Sequence, residues 1–234
     1  MASLTWLGHA AFRLDTDDGK RIYIDPFLSG NPKTPDSEKQ PEHVDVIAIT
    51  HGHGDHVGDA AELKKKFPAA EIVAQVEVKS WLGDQGVDTG PMPGINKGGS
   101  QEIDGTRFTL VNAFHSSGLP DGSYGGEAAG LVVRLANGKT VYFAGDTCVF
   151  GDMQLIARLY EPDIAVLPIG DHFTMGPDRA AEAVALVQPA KVAAMHYGTF
   201  PVLTGTPAQF AAALKGKDLL SRYQPLQIHE TLEL

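Results

Sequence analysis

The densest group of chemically reactive side chains lies in one short segment, ITHGHGDHVG at residues 49–58. It places His51, His53, Asp55 and His56 within six consecutive positions, with a glycine on either side of the second histidine. These glycines disfavour a helix and allow a tight turn close to a ligand. The first two histidines lie on one side of an extended chain, whereas the adjacent Asp55 and His56 must point apart. Two neighbouring metal ions use such diverging ligands better than one ion does, so the segment predicts a binuclear metal site.

Further candidate ligands and proton carriers follow predicted strands elsewhere in the chain. Each of these residues stands at the end of a strand-like run: Asp25 ends RIYID, His51 follows VDVIAIT, His115 follows FTLVNAF, Asp146 follows KTVYFAG, the pair Asp171-His172 follows DIAVLPIG, and His196 follows AKVAAM. Functional sites in open α/β sheets lie beyond the carboxyl ends of the strands, so we expect these residues to converge. Each one alone is more typical of a structural residue. A catalytic metal usually has three protein ligands and a water, and we therefore expect His115 and His196 to complete the two sets and Asp146 to bridge them.

The elements that must position these residues form a mixed α/β chain. Helices are predicted at 59–67, 76–85, 152–161, 177–187 and 207–215, alternating with the β-branched runs. Asp17-Asp18-Gly19-Lys20, Asp104-Gly105 and Asn137-Gly138 predict hairpins, the last two as two-residue turns. The segments 28–41 and 116–129 are rich in turn-forming residues and predict loops long enough to act over a site. With 234 residues, the chain is expected to form a single domain over 1–234.

Composition and charge limit the classes of partner. Hydrophobic residues make up 43% of the chain and charged residues 21%, and no apolar run is long enough to cross a bilayer. The N-terminal residues predict a first strand and not a signal peptide. Cys148 is the single cysteine, which excludes an internal disulfide and favours a cytoplasmic location. The formal net charge of −10 disfavours nucleic acids and anionic membranes, so we expect a small-molecule substrate.

These residues together resemble the metallo-β-lactamase superfamily. The resemblance rests on the full ligand set His51, His53, Asp55, His56, His115, Asp146 and His196, and on the motifs WLGHAAF, IDPF, LPIGDHFTMGP and HYGTFP, which span residues 4 to 201. The motifs are most similar to a branch of bacterial and archaeal metal-dependent hydrolases related to the ascorbate-phosphate lactonase and N-acylphosphatidylethanolamine phospholipase D branches. The resemblance implies an α/β fold, a four-layer αβ/βα sandwich of two mixed sheets with the metals at one edge.

The resemblance also assigns the ligands. It implies that His51, His53 and His115 bind the first metal, that Asp55, His56 and His196 bind the second, and that Asp146 bridges the two. In the zinc β-lactamases one second-metal ligand is a cysteine, whereas Cys148 lies two residues beyond Asp146, where we expect a small packed group. Penicillin hydrolysis is therefore not expected. The RNA-cutting members carry a large inserted domain, for which this chain has no room.

The predicted function is a binuclear metal-dependent hydrolase. Hydroxide bridging two cations is expected to cleave a small ester, lactone or phosphodiester, with Asp55 steering the proton. His172 is a candidate for substrate contact or leaving-group protonation, because it follows a strand and its ordinary pKa lies near neutrality. His9 and Asp25 are expected to orient metal ligands from behind.

Several alternatives stay open. Nitrogen and oxygen ligands without a thiolate suit zinc, which is the first choice, but also manganese, iron or nickel. A phospholipase D-like phosphodiesterase is the alternative enzyme, and it would need an apolar groove or an anion pocket near the metals. A diiron redox protein or a non-catalytic metal-binding protein would use similar ligands. Oligomers are common in related branches, and the residues leave a monomer and a homo-oligomer equally open.

Overall fold

The β-branched runs form twelve strands in a computed structural model that describes residues 1–234. The strands are β1 (Ser3–Gly8), β2 (Ala11–Asp15), β3 (Arg21–Ile24), β4 (Val46–Ala48), β5 (Glu71–Val73), β6 (Ser100–Ile103), β7 (Thr106–Asn112), β8 (Ala129–Arg134), β9 (Thr140–Phe143), β10 (Ile164–Pro168), β11 (Lys191–Met195) and β12 (Thr231–Glu233). They build two six-stranded sheets, in the orders β12-β1-β2-β3-β4-β5 and β11-β10-β9-β8-β7-β6. Each sheet is mixed, with three strands in parallel at one edge: β3, β4 and β5 in the first, and β9, β10 and β11 in the second.

Six α-helices connect and cover these strands. They are α1 (Gly54–Val57), α2 (Ala60–Lys66), α3 (Val76–Asp84), α4 (Met153–Tyr160), α5 (Pro177–Val187) and α6 (Pro207–Lys215), with short 3₁₀ turns at Asp36–Glu38 and Leu220–Arg222. The five helices predicted from the sequence are confirmed to within a residue or so at each end. Pro177 and Pro207 each occupy the first turn of a helix, where their missing N–H costs nothing.

Three buried apolar clusters explain the layering. One lies between the two sheets and joins residues of both, such as Phe12 and Phe143, whose ring centroids are 5.7 Å apart. A second packs α4, α5 and α6 against the outer face of the second sheet, and a third packs α2 and α3 against the outer face of the first. The predicted four-layer αβ/βα sandwich is confirmed. None of the helices has the length and apolar character that crossing a bilayer would require.

The hairpins follow the turn residues, with one difference. Asp104 and Gly105 form the predicted two-residue turn between β6 and β7, and both have positive φ, as a type I′ turn requires. The prediction of a two-residue turn at Asn137-Gly138 is wrong, because Leu135 N donates to Lys139 O and so encloses three residues. Only Gly138 has positive φ there, which is the pattern of a type I turn followed by a left-handed glycine.

Candidate metal centre

The seven predicted ligands meet at one edge of the sandwich, in two groups. His51, His53, His115 and Asp146 form the first group, and Asp55, His56 and His196 form the second together with His9. Within each group the candidate ligand atoms all lie within 4.8 Å of one another. The structure thus divides the HGHGDH segment as its spacing predicts. It also adds His9, which the sequence predicts only as a residue behind the ligands.

A single helical turn causes this division. The prediction that the glycines would disfavour a helix is wrong, because α1 begins directly after His53. The His53 carbonyl accepts hydrogen bonds from His56 N and Val57 N, both at 2.9 Å. Successive residues of a helix point about 100° apart, so Asp55 and His56 leave the turn in different directions from His53. The tight turn that we expected is therefore present, but it is helical.

The carboxylate of Asp146 contacts both groups. Its Oδ2 atom lies 3.0 Å from His196 Nε2 and 3.5 Å from His115 Nε2, and its Oδ1 atom lies 3.4 Å from His56 Nε2. Asp146 is almost completely buried at the end of β9. Because its carboxylate contacts histidines of both groups, Asp146 has the position of a bridging ligand.

Four buried nitrogen and oxygen atoms at the centre lack a hydrogen bond within the protein. They are His56 Nε2, Asp146 Oδ1 and both ring nitrogens of His196; His196 Nε2 lies 3.0 Å from Asp146 Oδ2, but without the angles of a hydrogen bond. Leaving such an atom unsatisfied costs roughly 1–3 kcal/mol, so native proteins rarely tolerate a cluster of them. Imidazole nitrogens with carboxylate oxygens are the donors that suit divalent first-row metals. The residues at this centre therefore fit metal ions.

Asp25 fixes the orientation of two of the candidate ligands. Its Oδ2 atom lies 2.8 Å from His56 Nδ1 and accepts a 2.7 Å hydrogen bond from Thr50 Oγ1, which in turn lies 3.1 Å from His51 Nδ1. With Thr50 donating to Asp25, its hydroxyl oxygen accepts from His51. Both histidines thereby carry their proton on Nδ1 and present Nε2 to the centre, as metal-ligating histidines usually do. This arrangement is the supporting role predicted for Asp25.

His9 supports the second group from the turn between β1 and β2. Its Nε2 atom lies 3.0 Å from Asp55 Oδ2, and its Nδ1 atom lies 3.0 Å from Thr199 Oγ1. The ring is fully buried and packs against the ring of His196, with centroids 4.0 Å apart. Burial lowers the pKa of His9 to about 4, which keeps the ring neutral near pH 7.

Burial and the two carboxylates set the protonation of the other residues. Burial disfavours the charged form of His196, but the nearby Asp146 charge outweighs it and raises the pKa of His196 to about 9. The same balance of burial against Asp146 and Asp25 raises the pKa of His56. Burial lowers the pKa of His51, which has fewer carboxylate neighbours. Metal binding must therefore displace protons from the second group.

The backbone of the centre is strained. Three of the ten non-glycine residues with positive φ belong to it, His9, Asp25 and His196, with φ between 46° and 56°, and two more, Asp171 and His172, precede Phe173 of the cavity wall. Such conformations cost of order 1–3 kcal/mol each and persist only where surrounding contacts hold them. Strain concentrated at one edge of the fold is typical of a functional site.

A cavity of about 310 Å³ opens onto the centre. His53, Asp55, His115, Asp146 and His196 line it together with Ser116 and Phe173. His172 is exposed and is not among the lining residues, although its ring packs 4.5 Å from the ring of Phe173. His172 therefore lies beside the cavity wall, and its role in substrate contact or leaving-group protonation stays a prediction.

Sequence reasoning missed three contributors and misplaced a fourth residue. Ser116 Oγ lies 3.2 Å from His53 Nε2, Ser117 Oγ accepts from Gly52 N at 2.9 Å, and Phe173 lines the cavity. Ser116 and Ser117 could have been found from their position at the start of the predicted loop 116–129. Phe173 could have been found as an aromatic residue in a loop flanked by glycines. Cys148 is exposed, so the expectation of a small packed group is wrong.

The chain is similar to known proteins in sequence and in structure. The family model of the beta-lactamase superfamily domain matches residues 20–197. A UPF0173 metal-dependent hydrolase of Koribacter versatilis is 50% identical over 209 residues, covering 88% of each chain. The structure of Igni18, a metallo hydrolase from the archaeon Ignicoccus hospitalis, superimposes with a TM-score of 0.85 at 35% identity, covering 100% of this chain and 99% of Igni18.

These similarities define the protein as a metal-dependent hydrolase. The chain belongs to the metallo-β-lactamase superfamily. The same fold also occurs in CmlA, a diiron β-hydroxylase of Streptomyces venezuelae, with a TM-score of 0.71 at 17% identity, where the match covers 100% of this chain and 54% of CmlA. That similarity concerns the fold alone.

Proposed function

We propose that the two groups hold a pair of divalent metal ions, with zinc as the first choice, and that the protein hydrolyses a small ester or lactone. The observation that carries this proposal is the position of Asp146, whose carboxylate lies 3.5 Å from His115 of the first group and within 3.4 Å of His56 and His196 of the second. A pair of ions bound there would lower the pKa of a shared water and supply hydroxide at neutral pH.

The protein's own residues have distinct tasks in this scheme. His51 and His56 are buried and hold their Nε2 atoms inward, whereas His53, Asp55 and His115 border the cavity that receives the substrate. Asp55 is the residue best placed to handle the proton, because its carboxylate borders the cavity and is 28% exposed. Hydrolysis adds one water across the acyl–oxygen bond, so the acid receives the hydroxyl and the alcohol receives the proton.

The phosphodiester alternative receives less support. A phosphodiester carries a negative charge on oxygens that do not react, and enzymes hold such oxygens with arginine, lysine or backbone N–H groups. None of the residues lining the cavity is lysine or arginine. We therefore place neutral esters and lactones ahead of phosphodiesters.

We also expect the protein to act in the cytoplasm on small molecules.

The decisive experiment combines metal analysis with a substrate panel. Elemental analysis of purified protein is expected to give about two divalent ions per chain, and zinc-loaded protein is expected to hydrolyse chromogenic esters or lactones. Asp146→Asn keeps the shape of the side chain but removes its charge, and it should abolish turnover and loosen both ions. One tightly bound ion, full activity of Asp146→Asn, or iron with visible absorbance and no hydrolysis would each reject the proposal.

A further inference from the structure

Phe173 is the one aromatic side chain in the wall of the cavity over the candidate metal centre. It lines this cavity beside five histidines and aspartates of the centre and Ser116, and 53% of its surface is exposed. A buried phenylalanine would be explained by core packing alone. An exposed ring at the mouth of a cavity of about 310 Å³ leaves a face free for a ligand.

The backbone holds this ring in place at the cost of strain. Asp171 and His172, the two residues before it, both have left-handed φ, of 62° and 58°. Phe173 N donates to Asp171 O at 2.6 Å, and Asp171 N donates to Met175 O at 3.3 Å, so the loop closes on itself. Such conformations persist only where surrounding contacts hold them, so the fold holds the backbone of the loop that carries Phe173.

Thr147 connects this loop to a second exposed aromatic residue. Its carbonyl accepts a 3.1 Å hydrogen bond from Met175 N, and its Oγ1 atom accepts a 3.0 Å hydrogen bond from Phe114 N. Phe114 precedes His115 and is 55% exposed. Thr147, which directly follows Asp146, therefore hydrogen-bonds to the segment that carries Phe173 and to the segment that carries Phe114.

The charge of the cavity wall supports the same kind of ligand. Its ionisable residues are the metal-centre histidines and the two aspartates, and no lysine or arginine lies in the wall to pair an anionic substituent of a substrate. Lys97, in the chain segment between α3 and β6, does not line the cavity either, since its ammonium group donates a hydrogen bond to Asn112 and forms an ion pair with Glu127. A neutral substituent meets the ring of Phe173 without the desolvation cost that an ionised one would bear.

We propose that Phe173 is a specificity-determining residue that receives an uncharged apolar group, aryl or branched alkyl, next to the bond that is cleaved. This inference rests on the proposed function and deepens it: the substrates are neutral esters or lactones with an apolar substituent, and not phosphodiesters or small polar esters. Phe173 contributes through contact with the substituent, whereas the metal-centre residues act on the reacting bond.

The first test measures binding and needs no turnover. Acetohydroxamic acid and 3-phenylpropionohydroxamic acid carry the same metal-binding group and differ in the apolar substituent. Calorimetric titration of zinc-loaded protein should show about tenfold tighter binding of the phenyl compound, and Phe173→Ala should reduce that ratio to about twofold. Phe173→Leu, which keeps an apolar contact, should give an intermediate ratio.

Leu159→Ala is the matched control, since Leu159 is an apolar residue of α4 that is 63% exposed and lies outside the cavity. It should keep the wild-type ratio. Equal binding of the two hydroxamates by the wild type, or an unchanged ratio in Phe173→Ala with normal zinc content, would overturn the inference.

A second measurement separates this inference from the proposed function. The kcat/KM values of 4-nitrophenyl 3-phenylpropionate, 4-nitrophenyl acetate and bis(4-nitrophenyl) phosphate should fall in that order. If none is hydrolysed while the hydroxamate preference depends on Phe173, the proposed function fails and the apolar site stands. Preferred cleavage of the phosphodiester would overturn the assignment of Phe173 and leave the metal-dependent hydrolase in place.

Discussion

The Nε2 atom of His9 lies 3.0 Å from the Oδ2 atom of Asp55, although 45 residues separate them in the chain. His9 comes from the β1–β2 turn, Asp55 from α1, and Thr199, on the other ring nitrogen, from the segment after β11. A neutral His9 that accepts from Thr199 on Nδ1 donates from Nε2 to Asp55. The imidazole thus restrains one oxygen of Asp55 and positions the carboxylate.

Loss of His9 should weaken metal binding without removing a predicted ligand of either ion. We expect His9→Ala to lower the affinity of the second group for zinc by about 10- to 100-fold, because outer contacts orient the ligating carboxylate. His9→Gln, whose amide N–H can still donate, should recover part of the loss. Competition with a chromogenic chelator measures the affinity, and His43→Ala, at an exposed surface histidine, is the control. Unchanged affinity in His9→Ala would refute the positioning role.

Metal uptake should release protons. In the metal-free protein the charge of Asp146 outweighs burial and raises the pKa of His196 to about 9, so this ring is protonated at pH 7, and the pKa of His56 is raised as well. An ion needs the neutral imidazole, so each binding event at the second group expels protons, and affinity falls as pH falls. Calorimetry of zinc binding in buffers of different ionisation enthalpy should give at least about one proton released at pH 7 and fewer above pH 9. Heats that do not depend on the buffer would contradict this prediction.

Metal ions should also stabilise the fold. Four buried atoms of His56, Asp146 and His196 make no hydrogen bond in the protein, so a bound ion removes a cost that the unfolded chain does not bear. At a free zinc concentration of 100 times Kd each bound ion adds about 2.7 kcal/mol, which for a domain of this size raises Tm by about 5–10 °C per ion. Thermal scans of chelator-treated protein with and without zinc measure it. Asp146→Asn should show a much smaller rise, and an equal rise would refute the link to this site.

Local sequence signals were sufficient to predict the helices, the strands and most of the centre, whereas the four-layer sandwich was predicted from the family resemblance. The helix from Pro177 has its start, its apolar spacing and its end within eleven residues, and it occurs where predicted. His51, His53, Asp55 and His56 share one turn, so their division between two groups also follows from neighbouring positions. Each of these features depends on residues that are close in the chain.

Features that depend on tertiary packing could not be predicted in the same way. The role of Thr199 requires that it meet His9 across 190 positions, and neither residue type alone indicates such a contact. The helical turn α1 forms despite its glycines because tertiary contacts override weak local preferences. Phe173 lies in a loop whose strained backbone directs its ring toward the cavity, and φ is not readable from the residue type.

Two glycine substitutions separate packing at the centre from backbone propensity. Gly170 follows β10, and a Cβ atom built there would lie 2.0 Å from the carbonyl oxygen of His196. A side chain at this position must therefore displace the backbone of a predicted metal ligand. Gly83 lies in the last turn of α3, where an added Cβ meets nothing within 4 Å.

Gly170→Ala should destabilise the metal-free protein by about 1–3 kcal/mol, the range for forced overpacking, and should lower its zinc affinity as His196 moves. Gly83→Ala should instead stabilise it by up to about 1 kcal/mol, because alanine loses less backbone entropy in a helix, and should leave zinc affinity unchanged. Urea unfolding and chelator competition on both variants measure the two effects. Wild-type stability and zinc affinity in Gly170→Ala would contradict this prediction. They would mean that the alanine is accommodated without moving His196, so that the close contact between Gly170 and His196 does not hold that ligand in place.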